Sequence, residues 1–371
     1  MPTHPAIIVT GIKEPLTLAQ VPTPVPQEHE IQVRIEWVPS APLDVYQVDA
    51  GLMAQFPQSL GDSGAGTVVA VGSAVERLHV GDQVFGFFFH NEKEKGQQVY
   101  VTAPEHLFGK IPQGVPMAAA VTLPTNVCTA FLALSDKLGI DLPWPRPDGF
   151  SPKDQDIPIL IWGAASSVGQ FAVQILKYWG YKNVVATASP KHHEKIKSYG
   201  AKHVFDYRNS DVVESVVGIL SKDSPSTPLR VFDCIDSKFG SLQHIAKIAT
   251  LPGSIVAAVL PVVVRPPSDP EGILLSADVA GEASWKPGVE IQSIVSYSYE
   301  ANPYLRDHLL PEIVPGLLTS GAIEPNKYGE IQGASLLERA TAALNALRTG
   351  TVSGERLVWK VWTEEEFPAF K

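Results

Sequence analysis

Residues 157–180 constrain this chain more than any other stretch. Ile157 to Trp162 is an apolar run of strand length. Gly163 to Gly169 comes next and holds no side chain larger than Val168. Phe171, Ile175 and Leu176 then recur at helical spacing, with Lys177 in the last turn and Gly180 as the stop. A strand, a tight turn of small residues and a helix in that order let backbone N–H groups approach a pyrophosphate at the helix N-terminus, where the dipole favours anions. Ala165, Ser166, Ser167 and Val168 are the residues expected to make that approach. The turn departs from G-x-G-x-x-G, because Ser166 stands where the second Gly would be and one residue is extra. Its context carries the reading more than its letters do.

The residues beyond this helix select the nucleotide. The next strand is expected at Asn183 to Ala188. NAD-binding folds place an Asp or Glu on the ribose diol at about this point, ~20 residues on; here stand Ser189, Pro190 and Lys191. A carboxylate would repel a 2′-phosphate, whereas a hydroxyl followed by a cation accepts one through charge-assisted hydrogen bonds. Tyr207 and Arg208, after a third strand at Ala201 to Phe205, stand where they can flank the adenosine. The expected cofactor is therefore NADPH rather than NADH.

The rest of the chain sets the frame. With 371 residues and 44% apolar side chains there is material for two domains and a large core. A formal net charge of −10 speaks against a nucleic-acid partner. Two cysteines, Cys128 and Cys234, leave no disulfide framework and fit a reducing compartment. No run reads as long enough to span a membrane. The opening Met-Pro-Thr-His-Pro-Ala reads as no targeting signal, so a cytoplasmic setting is expected.

Residues 1–110 read as β-rich, with strands at Ala6–Val9, Leu16–Gln20, Glu30–Val38, Gly64–Val71 and Gln83–Phe89. In the third, Ile31, Val33, Ile35 and Trp37 alternate with Gln32, Arg34 and Glu36. Met117 to Ser135 reads as a helix, and Leu142 to Gly149 as a Pro-rich surface linker. From Ile157 to about Ser298 strands alternate with helices, the pattern of a parallel sheet with right-handed crossovers. Pro261 to Pro287 reads as irregular. Helices at Ile313–Thr319 and Leu336–Thr349 and a strand at Arg356–Val361 complete the chain. The fold class is α/β: a Rossmann doubly wound parallel sheet plus a β-rich domain.

Five segments in this order resemble the zinc-independent medium-chain dehydrogenase/reductases. They are Pro42-Leu43-Asp44, the Gly-rich stretch Gly61 to Gly72, Val80-Gly81-Asp82-Gln83-Val84, the Ala164–Gly169 turn, and Val352 to Val358. Thr187-Ala188-Ser189-Pro190 and Phe205-Asp206-Tyr207-Arg208 are similar to the fungal trans-acting, ToxD-like enoyl reductases of polyketide pathways. The resemblance implies a GroES-like substrate domain at 1–125 and 305–371 around a Rossmann domain at 126–304. It leaves open a monomer or a homodimer paired through an edge strand near Val289–Ser296.

The departures from zinc members narrow the chemistry. Ala41 replaces their first Cys ligand, Asp62 and Ser63 replace the His and Glu of the Gly-His-Glu turn, and the third ligand falls near Thr125. Four-coordinate zinc needs Cys, His or carboxylate in sets, and no metal site is expected. What remains is reduction of the C=C bond of an α,β-unsaturated carbonyl (an enoyl thioester, enone or alkenal). A quinone reductase, or a non-catalytic NADPH-binding sensor or structural protein, is the alternative. The substrate is expected to be a small, apolar unsaturated carbonyl compound, free or carried on CoA or a carrier protein. Tyr46 is the candidate proton donor or enolate partner, and the resemblance places Thr129 at the nicotinamide. Val259-Leu260-Pro261 should pass the carboxamide with backbone groups, Leu260 foremost.

Overall fold

A computed structural model describes residues 2–350 and 352–370. The β-rich part comprises β1 (Thr3–Val9), β2 (Thr17–Pro22), β3 (Glu30–Pro39), β4 (Gln58–Ser59), β5 (Ser63–Val71), β6 (Gln83–Phe87), β7 (Tyr100–Pro104) and β8 (Phe108–Lys110). β1 pairs antiparallel with β2 and β4. β3 organises the larger sheet, pairing with β5 and β7, and β5 continues through β6 to β8. Ile31, Val33 and Ile35 are fully buried, as their alternation predicts. Trp37 is not, and is only half-buried. Against β5, Ile35 faces Gly66 and Trp37 faces Ala65, so Glu36 is an extra residue on β3. The bulge shifts the side-chain phase, and Val38 turns into the core instead.

The second part holds β9 (Ile159–Trp162), β10 (Val184–Thr187), β11 (His203–Phe205), β12 (Arg230–Asp233) and β13 (Ile255–Val259). A hairpin of β14 (Val262–Arg265) and β15 (Leu274–Ser276) comes next, then β16 (Glu290–Ile294). Six of these strands form one parallel sheet in the order β11-β10-β9-β12-β13-β16. All four β9 residues are buried, without alternation, because both faces of the sheet are covered. Strand order reverses between β9 and β12, which opens a crevice at their carboxyl ends. The Ser167–Trp179 helix starts at that end and buries Phe171, Ile175 and Leu176, and its Trp179 meets the edge of Phe131 with ring centroids 5.7 Å apart.

Three expectations need correction. Met117–Ser135 is not one regular helix: a Met117–Ala120 turn precedes a Pro124–Phe131 helix, which widens into a π-helical stretch at Leu132–Lys137. Pro124, lacking an N–H, starts the second helix at its first position. The segment 117–137 is also apolar and long enough to cross a membrane, against the sequence reading, but 94% of the apolar window is buried inside the fold. The 261–287 segment is not wholly irregular, since it carries the β14–β15 hairpin with a register shift between Val263 and Arg265. The 142–149 linker is a loop, as its prolines predict, held at two points: the Trp179 indole donates to Pro143 O and the Tyr304 hydroxyl to Trp144 O, both at 2.9 Å.

The C-terminal strands β17 (Tyr328–Glu330) and β18 (Arg356–Lys360) return to the first sheet, β18 lying antiparallel on β3 with Val358 opposite Pro39. The Leu336–Thr349 helix between them is capped by Ser335, whose hydroxyl accepts from Glu338 N.

Candidate active site

The turn after β9 is closed by two glycines. Gly163 has φ of 80°, and a Cβ there would stand 2.3 Å from Ile235 Cγ1. A Cβ on Gly169 would stand 2.6 Å from Gly163 O. The missing side chains bring helix and turn into contact and keep a cradle open for a dinucleotide. Gly163 N donates to Thr187 Oγ1 at 2.9 Å. Ser166 N donates to Gly163 O, and Ser166 Oγ accepts from Gly169 N at 3.1 Å, so this serine caps the helix. Ser167 and Val168 open the helix, and their N–H groups have no acceptor within it. Ala165 O accepts from Gln170 Nε2 at 2.9 Å.

At the ends of the neighbouring strands the structure brings Ser189 and Tyr207 together, with Ser189 Oγ donating to Tyr207 Oη at 3.4 Å. Lys191, two residues on from Ser189, is exposed. Arg208 is held elsewhere: Nε and Nη2 each donate to Asp206 at 2.9 Å, so its charge is paired with that carboxylate. At the end of β13, Leu260 N donates to Ile294 O at 2.9 Å.

The positions that the resemblance matches to zinc ligands, Asp62, Ser63 and Thr125, form a hydrogen-bonded cluster here. Ser63 Oγ and Thr125 Oγ1 donate to Asp62 Oδ1 at 2.9 and 3.2 Å, and the Tyr297 hydroxyl donates to Asp62 Oδ2 at 3.4 Å. One carboxylate and neutral hydroxyls do not make a zinc ligand set. The buried Arg356 supplies the positive charge. Burial lowers its pKa, opposed by Asp62 and Asp44. Asp44 Oδ2 accepts from Ala41 N at 3.0 Å at the start of the Pro42–Ala50 helix. Burial pushes this carboxyl up to about 7, against the pull of the Ala41 hydrogen bond, with Asp62 adding to the rise and Arg356 opposing it.

Tyr46 lies two residues on. Burial raises its pKa, and the nearby Asp236 raises it further. Thr129 Oγ1 donates to Thr125 O at 2.6 Å and stands 2.7 Å from Ser296 Oγ, linking the Pro124–Phe131 helix to the segment after β16. Asp236 follows β12 and ties it to the end of β13 and the start of β14. Its Oδ1 accepts from Val259 N and its carbonyl from Val263 N, both at 2.6 Å. It sits at φ of 54°, carried there by an Asp233 carboxylate that accepts from both Ile235 N and Asp236 N.

A cavity of about 410 Å³ opens beside Asp62 and Tyr297. Its wall is mixed: Leu43, Met53 and Phe89 face Gln47, Gln58 and Lys95. Phe85, Phe87 and Phe88 are fully buried, and of the four phenylalanines only Phe89 lines this space. A smaller hollow of about 280 Å³ lies under the linker, lined by Leu142 and Tyr304, away from the glycine turn. Sequence reasoning missed Tyr297, Arg356, Gln58 and Lys95. Only Arg356 had a local signal, as a charged residue at an inward position of a terminal strand.

A dinucleotide crevice joined to a GroES-like sheet defines an oxidoreductase of the alcohol dehydrogenase type. Residues 27–131 match the alcohol dehydrogenase GroES-like domain. The chain is 34% identical over 304 residues to the trans-enoyl reductase himH of Aspergillus japonicus, covering 77% of this chain and 82% of that protein. It is 28% identical to the dehydrogenase azaJ of Aspergillus niger over 96% of this chain and 99% of that one. In fold it is similar to a quinone oxidoreductase of Pseudomonas syringae (TM-score 0.71, 22% identity, 96% and 99% covered) and to the CurK enoyl reductase (TM-score 0.70, 20% identity, 96% and 98% covered). The chain belongs to the medium-chain dehydrogenase/reductase family, in its enoyl reductase branch. That membership implies a nicotinamide cofactor and a small unsaturated substrate.

Proposed function

We propose that this protein reduces the C=C bond of an α,β-unsaturated carbonyl compound with NADPH and without zinc. The observation that carries the reading is the Asp62–Ser63–Thr125–Tyr297 cluster, which puts hydrogen-bonded oxygens where a Lewis acid would sit. NADPH, when bound, supplies the hydride. The chain's own residues then have three tasks. Ser167 and Val168 offer N–H groups to the pyrophosphate, and Ser189, Lys191 and Tyr207 receive the 2′-phosphate. Thr129, fixed through Thr125 and Ser296, orients the nicotinamide end. Tyr46 offers its hydroxyl to the enolate oxygen or the α-carbon. A tyrosine hydroxyl is protonated at neutral pH, as a donor must be, and burial holds this one further from ionisation.

The test is NADPH oxidation with enoyl thioesters, enones, alkenals and quinones, each run with and without a chelator. Turnover of the enoyl thioesters, unchanged by chelation, is expected. Turnover confined to quinones, cofactor binding with no turnover, or loss of activity on chelation would each overturn this reading.

A further inference from the structure

Hydrogen-bond donors and acceptors around the 410 Å³ cavity do not balance. Its acidic neighbours each accept at least one hydrogen bond. Glu92 Oε2 accepts from Ser59 N at 2.8 Å, and Glu94 accepts from both His90 Nδ1 and Asn91 Nδ2. His90 has no free nitrogen, since Nε2 is 2.7 Å from Glu300. Asp62 takes three hydroxyls and faces Arg356. Several donors on the described wall are left over, those of Gln58 and Lys95 among them. Gln58 is 3% exposed, and its Oε1 accepts from Gln55 N at 2.9 Å, but its Nε2 has no partner. Lys95 Nζ reaches only Phe89 O, at 3.5 Å, the outer limit of a hydrogen bond. Gly96 N donates to Gly61 O and Gln97 N to Leu60 O, each at 2.9 Å, so the segment that follows Lys95 runs beside the one that follows Gln58, and both side chains line the same cavity.

A buried amide donor without a partner is uncommon and calls for a group that completes it. The same cavity wall carries the Lys95 ammonium. We propose that Gln58 and Lys95 form a recognition site for an acceptor-rich, anionic oxygen group, of the carboxylate class, on the part of the substrate remote from the double bond. This site rests on the reading that the cavity receives the unsaturated acyl group. The preferred substrate is then not a plain alkyl enoyl chain but one ending in a carboxylate, bound by Lys95 Nζ and Gln58 Nε2 as a charge-assisted pair.

Two 2-enoyl thioesters of N-acetylcysteamine, equal in length and ending in methyl or carboxylate, test this. The wild-type protein is expected to favour the carboxylate-ended one at least ~10-fold in kcat/KM. Lys95→Met removes the ammonium. Gln58→Glu keeps the acceptor for Gln55 N, deletes the donor and adds repulsion. In both variants the ratio should fall to about one, with thermal melts confirming the fold. Calorimetry with glutarate on the NADP⁺-loaded protein gives a second readout, in which binding should be lost in both variants. Equal kcat/KM for the two thioesters in the wild type, or a preference that survives both substitutions, overturns the inference while leaving the enoyl reductase reading intact. If neither thioester is turned over, the enoyl reading falls instead. Glutarate then decides the subsite: binding that depends on Lys95 supports it, and no binding to the wild type sinks it.

Discussion

The Glu300 carboxylate stands 2.7 Å from His90 Nε2 and ties the segment after the parallel sheet to the loop beyond β6. Its other oxygen is 2.7 Å from His106 Nε2. Hydrogen bonds donated to Glu300 and Glu94 raise the His90 pKa to about 10. Burial works to raise that of Glu300, but the His106 and His90 hydrogen bonds outweigh it and hold the carboxyl at about 2. The His90 contribution is therefore complete below pH 6.5, its ordinary pKa, and is lost as pH rises toward 10. That of Glu300 is complete above its ordinary 4.5 and lost as pH falls toward 2. Melting temperature against pH should show the wild type above His90→Gln on the plateau between these limits, with the two curves converging near pH 10. Parallel curves to pH 10 would remove this contact from the pH response.

Cofactor choice is tested at the ends of β10 and β11. Ser189→Asp with Lys191→Ala deletes a cation and adds repulsion beside Tyr207. NADPH affinity should fall by roughly one to two decades, about 1.4 kcal/mol each, with NADH much less affected. Titration of cofactor fluorescence reads both, and equal losses would show that these residues do not read the phosphate.

Tyr46→Phe keeps the ring and deletes the hydroxyl. Folding and NADPH binding should survive while kcat drops on the order of 10²-fold. A Phe variant with unaltered kcat on a good enone would leave the proton to solvent.

At Gly169 even a methyl group meets backbone, 2.6 Å from Gly163 O and 2.8 Å from Ala164 Cα. Gly169→Ala should cost about 1–3 kcal/mol in chemical denaturation and weaken NADPH binding as the turn opens. Unchanged stability would mean that the turn relaxes freely.

Arg356→Met leaves Asp44 and Asp62 buried without their cation. Removing one member of a buried charge cluster costs about 3–5 kcal/mol, measurable by urea unfolding. Asp62→Asn in the same background should recover part of that loss. No recovery would detach Asp62 from the cluster.

Local pattern made much of this molecule readable. The apolar run of β9 and the glycines at 163 and 169 give the crevice, and the residues around Ser189 give the adjoining rim, because those features depend on neighbours within a few tens of residues. The phase slip at Glu36 was hidden, since a bulge is set by the partner strand rather than by β3 itself. The 261–287 hairpin was hidden for a similar reason: its short strands pair across a Pro-rich loop with little alternation to advertise them. Much of the site was harder still. Tyr297 reaches Asp62 and Glu300 reaches His90 across more than 200 positions of sequence, as the separations of 235 and 210 residues record. His90 and His106 are two of ten histidines with no spacing to mark them.

The pairing of Val358 with Pro39 also bears on the order in which this polypeptide can acquire its shape. The six strands of the parallel sheet, β9 to β13 and β16, find all their partners among themselves, so that sheet can form as soon as its own residues exist. β3 cannot be completed until β18 has been made, and closing so long a loop is entropically slow. During synthesis, the edge of β3 that β18 will cover stands open while the entire nucleotide-binding half emerges. Such an unpaired edge invites association with other chains. Truncation within the last twenty residues should therefore show itself first as aggregation of the amino-terminal half, and only secondarily as loss of cofactor binding.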